Sequence, residues 1–279
     1  MGVVELFFFG VADGSSKLAI ENFAPRKFNI MINYASAKRP IPKNTDKLFV
    51  DSGGFSFFYK LREYPDGHLD YLRFVYKVKA DFFANRDYPN EPQVRKKWGV
   101  TVRENQVKTI ENQVQIMELM DNYYPKLRPK FVAVLQGWSL DDYLWMLDYM
   151  KEHGLLTKHI GLGTMCRRGQ EQQIRKYILA IRKELPRKYK LHGFGIKFGV
   201  LKHKDVWDAL YSADSLAYRY HIKKNWKENI SIQEQITEVI KKWLYKLEEL
   251  EKKHNSQLYW DEHWWELIPK FEEECEGRE

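Results

Sequence analysis

Apolar residues follow two different spacings along the chain. Short runs of β-branched and aromatic residues, typical of buried strands, alternate with longer segments whose apolar positions recur at helical spacing. This alternation predicts an α/β protein. The predicted strands are Val3–Phe9, Asn29–Ile32, Leu48–Val50, Ala80–Ala84, Phe131–Leu135, His159–Leu162, Lys190–Ile196 and Ser212–Ala217. The predicted helices are Leu69–Val78, Arg103–Asp121, Leu140–His153, Gln170–Leu185, Lys204–Tyr211 and Ser231–Lys253.

Strand–helix repetition at this spacing predicts parallel strands joined by crossover helices. About eight strands in roughly 220 residues fit a single closed (β/α)8 TIM-type barrel better than an open sheet, and a doubly wound sheet is the alternative. We predict that residues 1–225 form the barrel and that residues 226–279 form a C-terminal helical extension packed on it. Ser139 and the capping-box pair Ser231–Glu234 support two of the predicted helix starts.

The segment after Lys253 is rich in aromatic residues, which is unusual for a free tail. Packing on the barrel or on a partner, such as a second copy in a homodimer, is favoured over stacking on nucleic-acid bases. The residues concerned are Trp260, Trp264, Trp265 and Phe271.

The composition excludes several classes of protein. Of the 279 residues, 44% are hydrophobic and 15% aromatic, which is enough to build a large core and excludes a wholly disordered chain. Two cysteines, Cys166 and Cys275, exclude a disulfide framework and a four-thiolate zinc site made by this chain alone. No apolar run reaches the roughly 18 residues of a membrane span, and Met1–Gly10 lacks a basic n-region. We therefore expect a soluble, cytoplasmic protein.

The charge balance favours a polyanionic partner only weakly. Lys and Arg number 46 and Asp and Glu 38, which gives a net charge of +8. Acidic and basic residues are interspersed along most of the chain, so a solvated basic surface without a nucleic-acid role is the alternative.

Six of the predicted strands end in small or polar residues, at the positions where chemistry collects in a parallel α/β barrel. Three Asp, one Gln and several Gly at these ends indicate a binding site. The endings are Asp51-Ser52-Gly53-Gly54-Phe55, Asn85-Arg86-Asp87-Tyr88-Pro89, Gln136-Gly137-Trp138, Gly161-Leu162-Gly163-Thr164, His192-Gly193-Phe194-Gly195-Ile196-Lys197 and Ser212-Ala213-Asp214-Ser215.

Four of these residues are candidates for ligand contact, each with a plainer interpretation. Asp51 and Asp87 either cap their loops or contact a ligand, and the glycines after Asp51 would let a planar ligand approach the backbone. Gln136 follows an apolar strand, so its amide needs hydrogen-bond partners once buried. A buried Asp214 must be either paired in a salt bridge or reactive.

Other residues near the strand ends are interpreted more cautiously. Cys166 is treated as a small apolar residue, because no triad partner lies near it in the sequence. His192 is treated as a core histidine with satisfied hydrogen bonds. Arg167 and Arg168 suit either phosphate contacts or a plain surface pair. The Gly161–Gly163 turn matches no complete dinucleotide fingerprint, and the histidines show no metal-ligand grouping at a strand end.

These strand endings, in this order, resemble the tRNA-guanine transglycosylase superfamily over roughly Leu48–Tyr218. That family has a (β/α)8 barrel and exchanges guanine in a polynucleotide for a 7-deazaguanine. The matching motifs are the family's DSGGF at Asp51–Phe55, its QG at Gln136-Gly137, its glycine-rich base-binding turn at Gly161–Gly163, an HLxG-type segment at His192–Lys197, a base-reading Asp at Asp87 and a nucleophilic Asp at Asp214.

The chain also departs from the tRNA-acting members of that family. Those enzymes carry a CxCxxC…H zinc site after the nucleophile strand, whereas no cysteine occurs here between Asp214 and Cys275. The run Asp214–Tyr218 also differs from their DCVxPTR-like motif. In both respects the chain looks more like the DNA-acting paralogues of the DpdA type, so DNA is the preferred polymer and tRNA the alternative.

The resemblance implies a role for each matching residue. Asp214 would be the nucleophile and Asp51 the acid/base, and the incoming base would be a 7-deazaguanine such as preQ0. No metal or redox cofactor is expected, because one N-glycoside is exchanged for another. The implied substrate-binding residues are Ser52, Gly53, Phe55, Asp87, Gln136, Gly137, Gly161 and Gly163, and the implied nucleic-acid contacts are Arg167, Arg168 and Lys197.

Two other classes of function stay open at this point. One is a non-catalytic barrel that binds nucleic acid or serves as a partner subunit through the basic surface. The other is an unrelated barrel hydrolase or lyase that acts on a small anionic substrate.

Overall fold

The strands form a closed parallel barrel. The computed structural model describes residues 4–36, 39–166, 168–224 and 228–256. Strands pair in chain order and β8 returns to β1, so the predicted TIM-type barrel is confirmed and the doubly wound alternative is wrong. The strands of this part of the chain are β1 (Leu6–Val11), β2 (Phe28–Asn33), β3 (Thr45–Asp51), β4 (Phe82–Ala84), β5 (Phe131–Leu135), β6 (His159–Leu162), β7 (Lys190–Gly193) and β8 (Ser212–Ser215).

Every predicted helix is present in the described residues, together with several short ones that were not predicted. The predicted helices correspond to α3 (His68–Lys77), α5 (Val102–Tyr123), α6 (Leu140–Glu152), α7 (Glu171–Glu184), α9 (Lys204–Ala209) and α11 (Ile232–Ser256). The additional helices are α1 (Gly14–Glu21), α2 (Gly54–Leu61), α4 (Pro92–Trp98), α8 (Phe198–Leu201) and α10 (Ala217–Lys224), with a 3-10 turn at Pro125–Lys130. Of these, α2 and α4 follow β3 and β4 directly and so lie at the carboxyl ends of the strands.

Hydrogen bonds at the helix starts agree with the predicted caps. The Ser139 hydroxyl accepts from the Asp142 backbone N–H at 3.2 Å, and the Ser231 hydroxyl accepts from that of Glu234 at the same distance. Each acidic side chain in turn accepts a hydrogen bond from the backbone N–H of its serine, so both starts are capping boxes.

A cluster of large side chains fills the interior of the barrel. Phe8, Met31, Phe49 and Val132 come from four different strands and are nearly inaccessible to solvent. Successive side chains on a strand point to opposite faces, so Phe7 and Phe9, which flank Phe8, lie on the outside of the barrel. The interior cluster therefore forms the floor beneath the carboxyl ends of the strands.

The outer side of β1 is covered by α11. The Trp243 ring lies 6.4 Å from the rings of both Phe7 and Phe9 and 4.7 Å from that of Phe198, measured between centroids. Ile236 and Ile240 on the same helix are fully buried. This helix thus supplies the apolar layer for the strand at which the barrel closes. A boundary between residues 225 and 226 stays a prediction, and the aromatic residues Trp260, Trp264, Trp265 and Phe271 lie outside the described residues.

Within the residues that the structure describes, no helix is both long enough and apolar enough to cross a membrane.

Candidate active site

The carboxyl ends of the strands surround a cavity of about 830 Å3. Polar residues at these ends line it because the strands are parallel and their carboxyl ends meet on one face of the barrel. Among the residues predicted from the sequence, those that line the cavity are Asp51, Phe55, Asp87, Gln136, Gly163, Lys197 and Asp214.

Asp51, at the end of β3, is a carboxyl group that titrates near neutrality. Burial and the nearby negative charges of Asp87 and Asp214 raise its pKa to about 7, although backbone N–H groups that hydrogen-bond it oppose this shift. The side-chain amide of Asn33, at the end of β2, donates to Asp51 Oδ2 at 2.9 Å. The position of the carboxyl group is therefore fixed, and it keeps its proton to a higher pH than an ordinary carboxyl group does.

Asp214, on β8, is held through one of its two oxygens. The backbone N–H of Gly195 donates to Oδ1 at 2.8 Å, and His192 Nε2 lies 3.3 Å from the same atom. Gly195 has a left-handed φ of 64°, which ends β7 earlier than predicted and aims this N–H at the carboxylate. No donor to Oδ2 is present among the described residues, and Asp214 is 8% exposed. One oxygen is thus anchored while the other is available to the cavity.

His192 links Asp214 to a second polar residue. Its Nδ1 lies 2.9 Å from Ser212 Oγ, and its ring is 2% exposed. A carboxylate only accepts hydrogen bonds, so a His192 that hydrogen-bonds a carboxylate at this position does so with Nε2–H. The interpretation of His192 as a buried histidine with satisfied hydrogen bonds agrees with these contacts. The sequence did not indicate that one of its hydrogen-bond partners is the side chain of Asp214.

Asp87 and Gln136 form a second polar group across the ends of β4 and β5. The Asp87 carboxylate accepts from Ser52 Oγ at 3.0 Å and from the side-chain amide of Gln136. The carbonyl oxygen of that amide accepts from Thr164 Oγ1 at 2.5 Å. Burial raises the pKa of Asp87 even though these donors oppose the shift. The side chains that would contact a ligand are therefore held in place by one another.

The glycines at the strand ends leave room for protein groups. A Cβ on Gly163 would lie 2.3 Å from Gln136 Nε2, and a Cβ on Gly54 would lie 2.4 Å from the Asp87 carbonyl oxygen. The expectation that the glycines after Asp51 let a planar ligand approach the backbone stays a prediction. Gly54 allows Asp87 to approach the end of β3, and Gly163 does the same for Gln136.

Four of the predicted substrate-binding residues lie behind the residues that line the cavity. Ser52 is fully buried and hydrogen-bonds Asp87. A Cβ on Gly53 would collide with Ala35, one on Gly137 with Asp142, and one on Gly161 with the ring of Phe194. These positions support the site without lining it.

The predicted nucleic-acid contacts, Arg168 and Lys197, differ in their exposure to the cavity. Arg168 is 1% exposed, and its guanidinium donates to the backbone oxygens of Thr164 and Gly137 at 3.0 and 3.2 Å. It also lies 4.5 Å from the centroid of Trp138, so Arg168 is not part of a surface pair, and its phosphate contact stays a prediction. Lys197 does line the cavity, and its Nζ donates to the Arg168 carbonyl oxygen at 2.8 Å. Arg167 lies outside the described residues.

Residues 30–264 match a family model described as DpdA, DeoxyPurine in DNA protein A. This range covers most of the chain and every residue that lines the cavity. The chain belongs to the DpdA family. The family is a DNA-acting relative of the tRNA-guanine transglycosylases, so membership indicates a transglycosylase with DNA as its substrate. A search of curated proteins gave no match.

Several residues of this DpdA-family site were missed in the sequence. Asn33 directly follows the predicted strand Asn29–Ile32, so the strand-end argument would have found it. Trp138 and Thr164 also line the cavity and stood within quoted motifs without a role. Cys166 is exposed and lines the cavity, and its interpretation as a small apolar residue and not a nucleophile stays a prediction.

The described part of this DpdA-family chain contains no group of three His, Cys, Asp or Glu side chains placed to hold a metal ion.

Proposed function

We propose that this protein exchanges guanine in DNA for a 7-deazaguanine such as preQ0 through a covalent intermediate on Asp214. The observation that carries the proposal is the arrangement of three of the four carboxyl groups that, among the described residues, line the cavity, Glu91 being the fourth. One of them, Asp214, has a single anchored oxygen, and the other two, Asp51 and Asp87, have raised pKa values. Such a division suits a nucleophile, a proton carrier and a base-reading group.

In the first step, Oδ2 of Asp214 attacks C1′ of the target deoxyguanosine and forms an ester to the sugar. The bond from C1′ to the guanine nitrogen breaks, and its electron pair stays on the guanine. The proton of Asp51 neutralises the departing base, and Asp51 becomes a carboxylate. General acid help of this kind contributes about 10²- to 10⁴-fold, and it is most effective for an acid whose pKa lies near the working pH.

The second step reverses the first with a different base. The Asp51 carboxylate takes the proton from the ring nitrogen of the incoming 7-deazaguanine, and that nitrogen attacks C1′. The ester bond breaks and the Asp214 carboxylate is regenerated. Two displacements at C1′ retain its configuration, as in retaining glycosidases. Atoms and charge balance without a metal or a redox cofactor.

Recognition of guanine is assigned to Asp87, Gln136 and the backbone of Gly163, which line the cavity together. They would hydrogen-bond the Watson–Crick edge of the base, and Phe55 would stack on its face. Adenine would leave buried polar groups unpaired and is rejected for that reason. Since the base is read on an edge that pairs in a duplex, the target nucleotide must be flipped out or single-stranded.

The proposal is tested by measuring release and exchange of radiolabelled guanine with duplex DNA, single-stranded DNA and tRNA in parallel. The wild type is compared with Asp214→Ala and with a matched control, Asp148→Ala, whose carboxylate is exposed on α6. Exchange into DNA that is lost only in Asp214→Ala supports the proposal. Exchange into tRNA alone would show that the polynucleotide substrate is tRNA and not DNA. No exchange with any polymer would favour a non-catalytic barrel. A covalent adduct that survives in Asp214→Ala would exclude Asp214 as the nucleophile.

A further inference from the structure

An aromatic and basic surface leads away from the mouth of the cavity. Phe55 on α2 lines the cavity, and its ring is stacked on that of Tyr59 with 5.8 Å between centroids and 7° between planes. Lys97 Nζ, on α4, lies 4.4 Å from the Tyr59 centroid and 4.7 Å from that of Trp98. We call Phe55, Tyr59, Lys97 and Trp98 the α2–α4 strip.

The strip is held rigidly although its outer part is open to solvent. Trp98 Nε1 donates to the Phe58 carbonyl oxygen at 2.8 Å, and Lys97 Nζ donates to that of Tyr59 at 2.5 Å. These bonds tie α4 to α2. Tyr59 is nevertheless 43% exposed, and Lys97 is exposed as well. A tyrosine ring and a cation are thus presented on a fixed surface.

The charge around the strip has one dominant sign. Residues 54–63 and 92–98, which form α2, α4 and the turn after α2, contain a single acid, Glu63. The basic residues of the same two segments are Lys60, Arg62, Arg95, Lys96 and Lys97. Both helices lie on the face of the barrel that holds the cavity, because they follow directly after β3 and β4.

We propose that the α2–α4 strip binds the DNA strand that carries the target guanine, through the nucleotides next to the flipped one. This inference rests on the proposed function, because flipping leaves neighbouring bases with an exposed face. Aromatic rings bind single strands by stacking on bases, and nearby cations bind the phosphates. Phe55 lies in the cavity, where the flipped nucleotide would bind, and Tyr59 and Lys97 follow it outside the cavity, where the neighbouring nucleotides would lie.

The two components of the strip give different signatures in a binding experiment. Loss of base stacking at Tyr59 weakens affinity by about 5- to 150-fold and leaves the salt dependence unchanged. Log affinity falls as log salt concentration rises, and loss of one phosphate contact at Lys97 makes this negative slope shallower by about 0.7. A Tyr59 ring that only packs on its neighbours would not produce the loss of affinity. A Lys97 that contacts no phosphate would not change the slope.

The test is fluorescence anisotropy with a labelled 12-nucleotide single strand containing one guanine, at several salt concentrations. Wild type, Tyr59→Ala and Lys97→Gln are compared with the double control Tyr76→Ala/Lys77→Gln. The control pair is a 53% exposed tyrosine and its neighbour at the end of α3, the helix whose C-terminus points to the opposite side of the barrel.

Weaker binding in Tyr59→Ala and a smaller salt slope in Lys97→Gln, with the control unchanged, are expected. Unchanged binding in both strip variants would overturn the proposal, and so would an equal loss in the control. Equilibrium binding is measured without base exchange, so this result is independent of the exchange assay. A wild type that binds through the strip but exchanges no guanine would refute the proposed function alone.

Discussion

Replacing Asp51 by asparagine is expected to stabilise the protein at alkaline pH. The pKa of this carboxyl group rises from 3.8 to about 7 in the folded protein. The native state therefore keeps a proton that the unfolded chain releases between about pH 4 and pH 7, and wild-type stability falls as the pH rises through this window. Asp51→Asn removes that titration, and the new amide keeps an acceptor oxygen for Asn33.

The size of the effect follows from the pKa. At 1.36 kcal/mol per pH unit, the shift corresponds to about 4 kcal/mol at pH 8. This is an upper limit, because Asp51 lines an open cavity in which water screens its charge. With roughly 2 °C per kcal/mol for a domain of this size, the Tm of the variant would exceed that of the wild type by up to about 8 °C at pH 8. The difference would shrink toward zero near pH 4.

The assay is thermal unfolding of wild type, Asp51→Asn, Asp87→Asn and Asp148→Asn from pH 4.5 to pH 8.5. The exposed Asp148 serves as the control, for which no pH-dependent difference is expected. A difference between Asp51→Asn and wild type that is the same at every pH would refute the reasoning. A pH-dependent difference in Asp87→Asn alone would assign the titration to Asp87, whose pKa is also raised.

Further predictions concern catalysis, recognition and the closing helix. Single-turnover release of guanine should decline above about pH 7, because Asp51 must be protonated, and Asp51→Asn should abolish this profile. His192→Ala should slow adduct formation on Asp214 by about 10²-fold without weakening DNA binding, and His192→Gln should partly restore the rate; equal rates in wild type and His192→Ala would contradict a positioning role. Gly163→Ala should reduce the preference for guanine over adenine, measured by competition, because its Cβ would displace the Gln136 amide. Trp243→Ala should lower the free energy of unfolding by about 3 kcal/mol in denaturant titrations, while an exposed change such as Tyr245→Ala should have little effect.

The barrel and its polar strand ends could be predicted because both depend on local pattern. Buried parallel strands are short continuous apolar runs, and the polar residue that ends each run must lie at one face. Short helices were harder to predict. The eight-residue α2 and the seven-residue α4 were missed because so few residues show little helical periodicity, although the six-residue α9 was found.

The partners of individual side chains depend on register and on distant elements, which explains the errors. His192 pairs with Ser212, and side chains two residues apart share a face, so His192 reaches Asp214 as well. Burial of Arg168 requires the rings of Trp138, Tyr143 and Tyr177, which come from the loop after β5 and from two different helices. No local pattern around Arg168 distinguishes this arrangement from a surface pair.

Closure of the barrel sets the order in which the site can assemble during folding. Leu6 on β1 pairs with Ser212 on β8, and the helix that covers β1 begins only at Ile232. Contacts between such distant parts of a chain form slowly, because a long loop must be closed first. Asp214 lies on β8, the last strand to be synthesised, whereas Asp51 and Asp87 lie on the earlier half-barrel. A nascent chain therefore contains Asp51 and Asp87, the proposed proton carrier and base-reading group, well before Asp214, the proposed nucleophile, is synthesised.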